Sequence, residues 1–142
     1  MLLMDRNKAA EEFAKMLFQV GVEEGSQAFF ASLESPTGQD KRTWEEVKHW
    51  HGNKTDEEKQ FIGFIVKEAI IQAIHGIAVN FDGAAGYDYI DERPIEFAVA
   101  LRVYDSIDAV EIGDSNETIE ICPTVHGADV HDIFINLADA RE

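Results

Sequence analysis

The residues best equipped for chemistry lie on one predicted helix, where Glu68, Gln72, His75 and Asp82 fall within an arc of about 80° on an otherwise apolar rod. A carboxylate and an imidazole seven residues apart stand about 10 Å apart along a helix axis. That is too far for a direct hydrogen bond, yet close enough to share one ligand or act as an acid and base pair in a pocket. Glu68 and His75 are therefore the catalytic candidates, with Gln72 between them. The competing reading is that a core helix shows one wetted edge, and four polar residues on that edge need no other cause. No His-x-x-x-His or Glu-x-x-His spacing occurs on this helix, which weakens a metal reading there.

A second group is Cys122, His126, His131 and Asp132. All four can ligate metal, but they fall on a predicted strand, a loop and a helix start, with no tight zinc spacing. The expectation is no metal and no cofactor, with His126 and His131 the weak metal candidates. His131 and Asp132 read more simply as a capping arrangement at a helix N-terminus. Cys122 as a nucleophile would need a base, and only His126 is nearby in sequence; a lone cysteine on a strand is more often a small core residue. Asp82, Asp88, Asp91 and Glu92 lack the alternating pattern of a calcium loop. His49, Trp50 and His51 read as a helix end, and Trp44 and Trp50 as packing anchors. The chain has no Gly-x-Ser-x-Gly elbow, phosphate-binding loop or dinucleotide fingerprint.

The charge distribution is more informative. The net charge of the 142 residues is −16. Splitting the chain at Gly83 gives nine basic and fourteen acidic residues before it, and three basic and fourteen acidic after it, or −5 and −11. Such a field repels nucleic acid and anionic lipid and attracts cationic partners. The binding candidates are Asp88, Asp91, Glu92, Asp105, Asp108, Glu111, Asp114, Glu117 and Glu120, with Glu96 on the same rim. They are expected to form an anionic face that recognises a basic protein, as an immunity protein or enzyme inhibitor does when it covers a cationic cleft. A mimic of DNA is a variant of that idea, a small enzyme built on Glu68 and His75 is the rival, and a merely solubilising surface is the plain alternative.

The elements that must position these residues can be read from periodicity. Ala9, Phe13, Met16, Leu17 and Val20 make one helical stripe that pauses at Gly21, and Ser26 stands as an N-cap for a short helix to residue 34. Capping boxes at Thr43 with Glu46 and at Thr55 with Glu58 open two further helices, the second running over 55–82 and ending at Gly83. Residues 83–94 read as a loop. Ile95, Phe97, Val99, Leu101 and Val103 alternate as a half-buried strand, followed by strands at 108–112 and 118–122. Val130, Ile133, Phe134 and Leu137 give a last helix starting near Asp129. The predicted fold is a single α+β domain: N-terminal helices and one long buried central helix packed on a small three-stranded antiparallel sheet, closed by a C-terminal helix.

One cysteine excludes an internal disulfide, and no charged leader precedes a long apolar run, so the expected location is cytoplasmic. Residues 61–81 approach the length of a membrane span, but Lys67, Glu68, Gln72, His75 and Asn80 interrupt them, and no membrane association is expected. Phe29, Phe30, Phe61 and Phe64 exceed what one small core accommodates, which points to a homodimer.

Overall fold

The computed structural model describes residues 5–35, 40–83, 88–95, 97–123 and 129–140, with the backbone alone at 88–90. Its elements are α1 (Arg6–Met16), a π-helical segment (Leu17–Glu24), α2 (Gly25–Glu34), α3 (Lys41–Gly52), α4 (Asp56–Phe81), β1 (Asp88–Ile90), β2 (Arg93–Ile95), β3 (Val99–Val103), α5 (Ile107–Ile112), β4 (Glu117–Cys122) and α6 (Val130–Asp139). The class is α+β, helix-rich with small antiparallel strand pairs and a C-terminal helix. The chain falls into two compact units, Met1–Met16 with His75–Glu142, and Leu17–Ile74.

The first unit is built on small residues. Ala9, Ala10 and Ala14 of α1 are fully buried, and α1 packs on α6 and β4. Val130, Phe134 and Ala138, spaced by four, are the buried ridge of α6, and Ile121 and Cys122 end β4 inside the core. Alanines let helix axes approach closely, so α1 turns its alanine face inward. The expected stripe is corrected accordingly, because Met16 and Val20 are 43% and 51% exposed while Ala10 and Ala14 are buried. Arg6 donates from its guanidinium to the Ile121 carbonyl at 2.8 Å, tying α1 to β4.

The strand region departs from the expected three-stranded meander. Two separate antiparallel pairs form, β1 with β2 and β3 with β4. Residues 83–94 are not simply a loop: β1 and β2 pair through a two-residue turn at Asp91 and Glu92, both at positive φ, 49° and 62°. Residues 107–112 form helix α5 where a strand was expected. The reason is local capping, since the Ser106 hydroxyl accepts from the Ala109 N–H at 3.2 Å and Gly113 closes the helix at φ 72°. In β3, Val99, Leu101 and Val103 are half-buried while Ala100 and Arg102 are exposed, but the expected strand from Ile95 is split, with Ile95 in β2 and Phe97, 54% exposed, in neither strand.

The second unit is helical. Its chain passes from α1 into α2 through the π-helical segment without a break at Gly21, and Gly21 lies so close to Ile74 that a Cβ there would collide with it. Ser26 is interior to the helix and donates to the Glu23 carbonyl at 3.0 Å, so it is not the N-cap. Phe29 meets Phe30 and Trp44 edge-on, at 5.2 and 5.7 Å between centroids. The box at Thr43 and Glu46 is unused, because α3 already starts at Lys41; Glu46 pairs instead with Arg42. The second box forms, with the Thr55 N–H donating to Glu58 at 2.7 Å and the Glu58 N–H to Thr55 Oγ1 at 3.2 Å. These hydrogen bonds, the backbone one first, hold the Glu58 carboxyl below its ordinary range.

Helix α4 starts and stops as its sequence directs, with Gly83 at φ 76° accepting the left-handed turn. It is not the buried helix expected from its composition. Phe61, Phe64, Ile65 and Ile77 are between 51% and 64% exposed. By length and composition it is the one helix among the described residues that could cross a bilayer.

Candidate functional site

The acidic candidates are brought together by β3, α5 and β4. Val103 ends β3 and pairs with Glu117 at the start of β4, so everything from 104 to 116 lies beyond that end of the ladder. Asp105, Asp108, Glu111 and Asp114 are all exposed there, Glu117 is half-buried at the ladder's edge, and Glu120 is exposed on the strand opposite Ala100. Residues 104–120 hold six acidic side chains and no Lys, Arg or His. Asp105 accepts a hydrogen bond from the Asn116 amide at 3.0 Å. The ion pairs Lys15 with Glu12, Lys41 with Glu45 and Arg42 with Glu46 involve none of these six. Asp91 and Glu92 are exposed at the β1–β2 turn, a second acidic point. The Asp88 side chain and Glu96 lie outside the described residues.

Sequence reasoning missed what lies between the carboxylates. Ile107 and Ile112 are 75% and 78% exposed and Val110 is 48% exposed, all on α5. A six-residue helix capped at both ends holds its apolar side chains outward, amid acids. The reading of 108–112 as a strand hid this, since it counted Val110 and Ile112 as sheet residues.

The second constellation centres on Asp82, at the foot of α4. Its side chain is fully buried. One oxygen, Oδ2, accepts from both the His131 backbone N–H and the His131 ring Nδ1, each at 2.7 Å, and Oδ1 accepts from the Cys122 thiol at 3.5 Å. Asp82 thus caps the N-terminus of α6 from a distant segment, placing a carboxylate at the positive end of that helix. His131 is pinned, with Nε2 3.4 Å from Asp132 Oδ1 and its ring edge-on to His75 at 5.7 Å. Cys122 has no exposure, and burial first, then the Asp82 charge and hydrogen bond, push its thiol up to about 12. A thiol that donates to a carboxylate and sits at that value is not a nucleophile at neutral pH. It is the small core residue that its place on a strand implied.

Gln72 is exposed, Glu68 and His75 are half-buried, and the His75 ring meets that of His131. His126 lies outside the described residues. His49 and His51 fall in the last turn of α3, where His49 contacts the Asn53 side-chain amide at 3.4 Å.

No family model, curated protein or solved structure matches this chain. Function therefore has to be argued from these two sites alone. The first offers charge and exposed apolar area for another macromolecule; the second offers a histidine held by a buried carboxylate.

Proposed function

We propose that the chain is a cytoplasmic protein-binding module of the inhibitory, immunity-like kind, whose acidic β3–α5–β4 end covers a basic surface on a partner protein. The observation that carries this reading is the mixture at that end: Ile107, Val110 and Ile112 exposed among carboxylates without a counter-charge in 104–120. A merely solubilising surface has no reason to hold two isoleucines at more than 70% exposure on a helix capped by Ser106 and Gly113. Apolar anchors contribute affinity through desolvation, and the surrounding acids contribute steering and selection against anionic competitors. The partner surface that fits is an apolar depression rimmed by Lys and Arg.

The reading is tested with a defined probe, a short amphipathic peptide of leucine and arginine, followed by amide chemical shifts. Shifts confined to 103–120, weakened about tenfold by Ile107→Ser with Ile112→Ser and reduced by Asp108→Asn with Glu111→Gln, would support it. Shifts spread over the whole chain, or equally sensitive to neutralising Glu11 and Glu12 on α1, would refute it.

The same proposal takes the protein as a homodimer. Phe61, Ile65, Ala69, Ala73 and Ile77 form an exposed ridge along α4, four residues apart. Ala69 and Ala73 at its middle would let an identical helix cross closely, placing Phe61 and Ile65 of one copy toward Ile77 of the other under a two-fold axis.

A further inference from the structure

Helices α1 and α6 pack on each other with small, regularly spaced residues, and a cleft opens beside the contact. Ala10 and Ala14 of α1 and Phe134 and Ala138 of α6 are buried. Helical geometry turns the neighbouring residues about 100° aside, Glu11 and Lys15 on α1 and Ile133 and Leu137 on α6. Alanine fills little width, and Ile133 and Leu137 stay only half-buried, with apolar surface left over. Together with Asn136 these four line a cleft of about 330 Å³. That is at the small end of the about 300–1,000 Å³ typical of ligand pockets.

The lining combines both signs of charge with an apolar floor. Glu11 and Lys15 are exposed and stand one turn apart on α1, about 5–6 Å between Cβ atoms. Asn136 brings an amide that both donates and accepts, and Ile133 and Leu137 bring the floor. A fatty acid would meet Glu11 as a like charge, and a simple apolar amine would meet Lys15 as one. A molecule with an ammonium and a carboxylate on the same carbon satisfies both. Lys15 is drawn to Glu12 at 3.3 Å, but those side chains are 55% and 48% exposed, and so weak a surface pair gives way to a ligand carboxylate.

We propose that the α1–α6 cleft binds a free apolar α-amino acid, its ammonium on Glu11, its carboxylate on Lys15, and its side chain over Ile133 and Leu137. The Asn136 amide serves either charged group, donating to the carboxylate or accepting from the ammonium. Burial of the side chain on the floor supplies affinity, and the paired charges supply selection. An interior residue of a peptide carries neither charged group, so the cleft discriminates in favour of the free amino acid. The cleft shares no residue with the β3–α5–β4 end and needs nothing from the partner proposed there.

The test follows amide and methyl shifts of the full-length protein on titration with L-leucine and three analogues: glycine without the side chain, N-acetylleucine without the ammonium, and leucinamide without the carboxylate. L-leucine should give saturable shifts centred on Glu11, Lys15, Ile133, Asn136 and Leu137. Glycine should bind at least about tenfold more weakly, and each analogue short of one charge about two- to fivefold more weakly, the scale of an exposed ion pair. Glu11→Gln should weaken leucine and leucinamide but not N-acetylleucine, and Lys15→Met should weaken leucine and N-acetylleucine but not leucinamide. Both residues are exposed, so the variants keep the fold. Four results would overturn the proposal: no saturable shifts with millimolar L-leucine, shifts centred on 103–120 instead, an analogue that binds as tightly as leucine, or a variant whose effect is the same for all three leucine ligands.

Discussion

Removing the Asp82 side chain as Asp82→Ala should be among the most damaging single changes in the first unit, and the geometry gives its size. Two donors lose their acceptor inside the protein, the His131 N–H at 2.7 Å and the His131 ring N–H at 2.7 Å. The capping bond contributes about 1 kcal/mol. A hydrogen bond to an ionised group contributes about 1.5–3 kcal/mol. The thiol at 3.5 Å adds little, so the expected loss is about 2.5–4 kcal/mol, a large part of the stability of a domain this size. Asp82→Asn is the discriminating companion. Both strong bonds end on the same oxygen, so an asparagine carbonyl placed there accepts both, and the loss falls to about 1–2 kcal/mol as the bonds become neutral. Urea unfolding followed by far-ultraviolet circular dichroism measures both variants. A cost below about 1 kcal/mol for Asp82→Ala, or equal costs for the two, would refute the account of Asp82 as the buried cap of α6.

Other consequences can be checked with less labour. Cys122 should resist alkylation at pH 8 in the native state and react readily in urea, because a thiol raised from 9.0 to about 12 carries about a thousandfold less thiolate. The same shift sets a pH dependence: the folded value is raised, so its stabilisation is complete below pH 9 and is lost as pH climbs from there toward 12, at up to about 1.4 kcal/mol per unit. Cys122→Ala should flatten that limb of the profile, and an unchanged alkaline slope would contradict the assignment. Glu92→Gly should raise the melting temperature, since Glu92 sits at φ 62° in the β1–β2 turn and glycine removes about 1 kcal/mol of left-handed strain; a lower melting temperature would show that the turn differs. Sedimentation equilibrium should find a dimer that Ala73→Glu converts to monomer, and a wild-type monomer at high micromolar concentration would remove α4 as its interface.

Where local rules agree with one another, the sequence was legible. Thr55, Glu58 and Gly83 mark α4 because caps and hydrophobic content point the same way, and the alternation at Val99, Leu101 and Val103 marks β3 for the same reason. Residues 108–112 misled because five residues are too few to separate strand from helical periodicity, and the deciding signals were Ser106 and Gly113. The β1–β2 turn was hidden because Asp91 and Glu92 replace the Asn-Gly that usually announces such a turn. The acidic run could be read directly, since charge needs no fold to be counted. The pairing of Asp82 with His131 could not: forty-nine residues separate them, and only the close of α6 against the foot of α4 brings them together.

The central claim concerns the anionic, partly apolar end formed by β3, α5 and β4. Its most direct measurement is the stopped-flow association rate of the leucine–arginine peptide as salt rises from about 0.01 to about 1 M, which shortens the screening length from about 30 to about 3 Å. The account predicts a rate that falls at least tenfold across that range, with a salt dependence largely abolished by neutralising Asp105, Asp108, Glu111 and Asp114 together, while dissociation responds to Ile107 and Ile112. A rate indifferent to salt, or a salt dependence that survives the fourfold neutralisation, would contradict it.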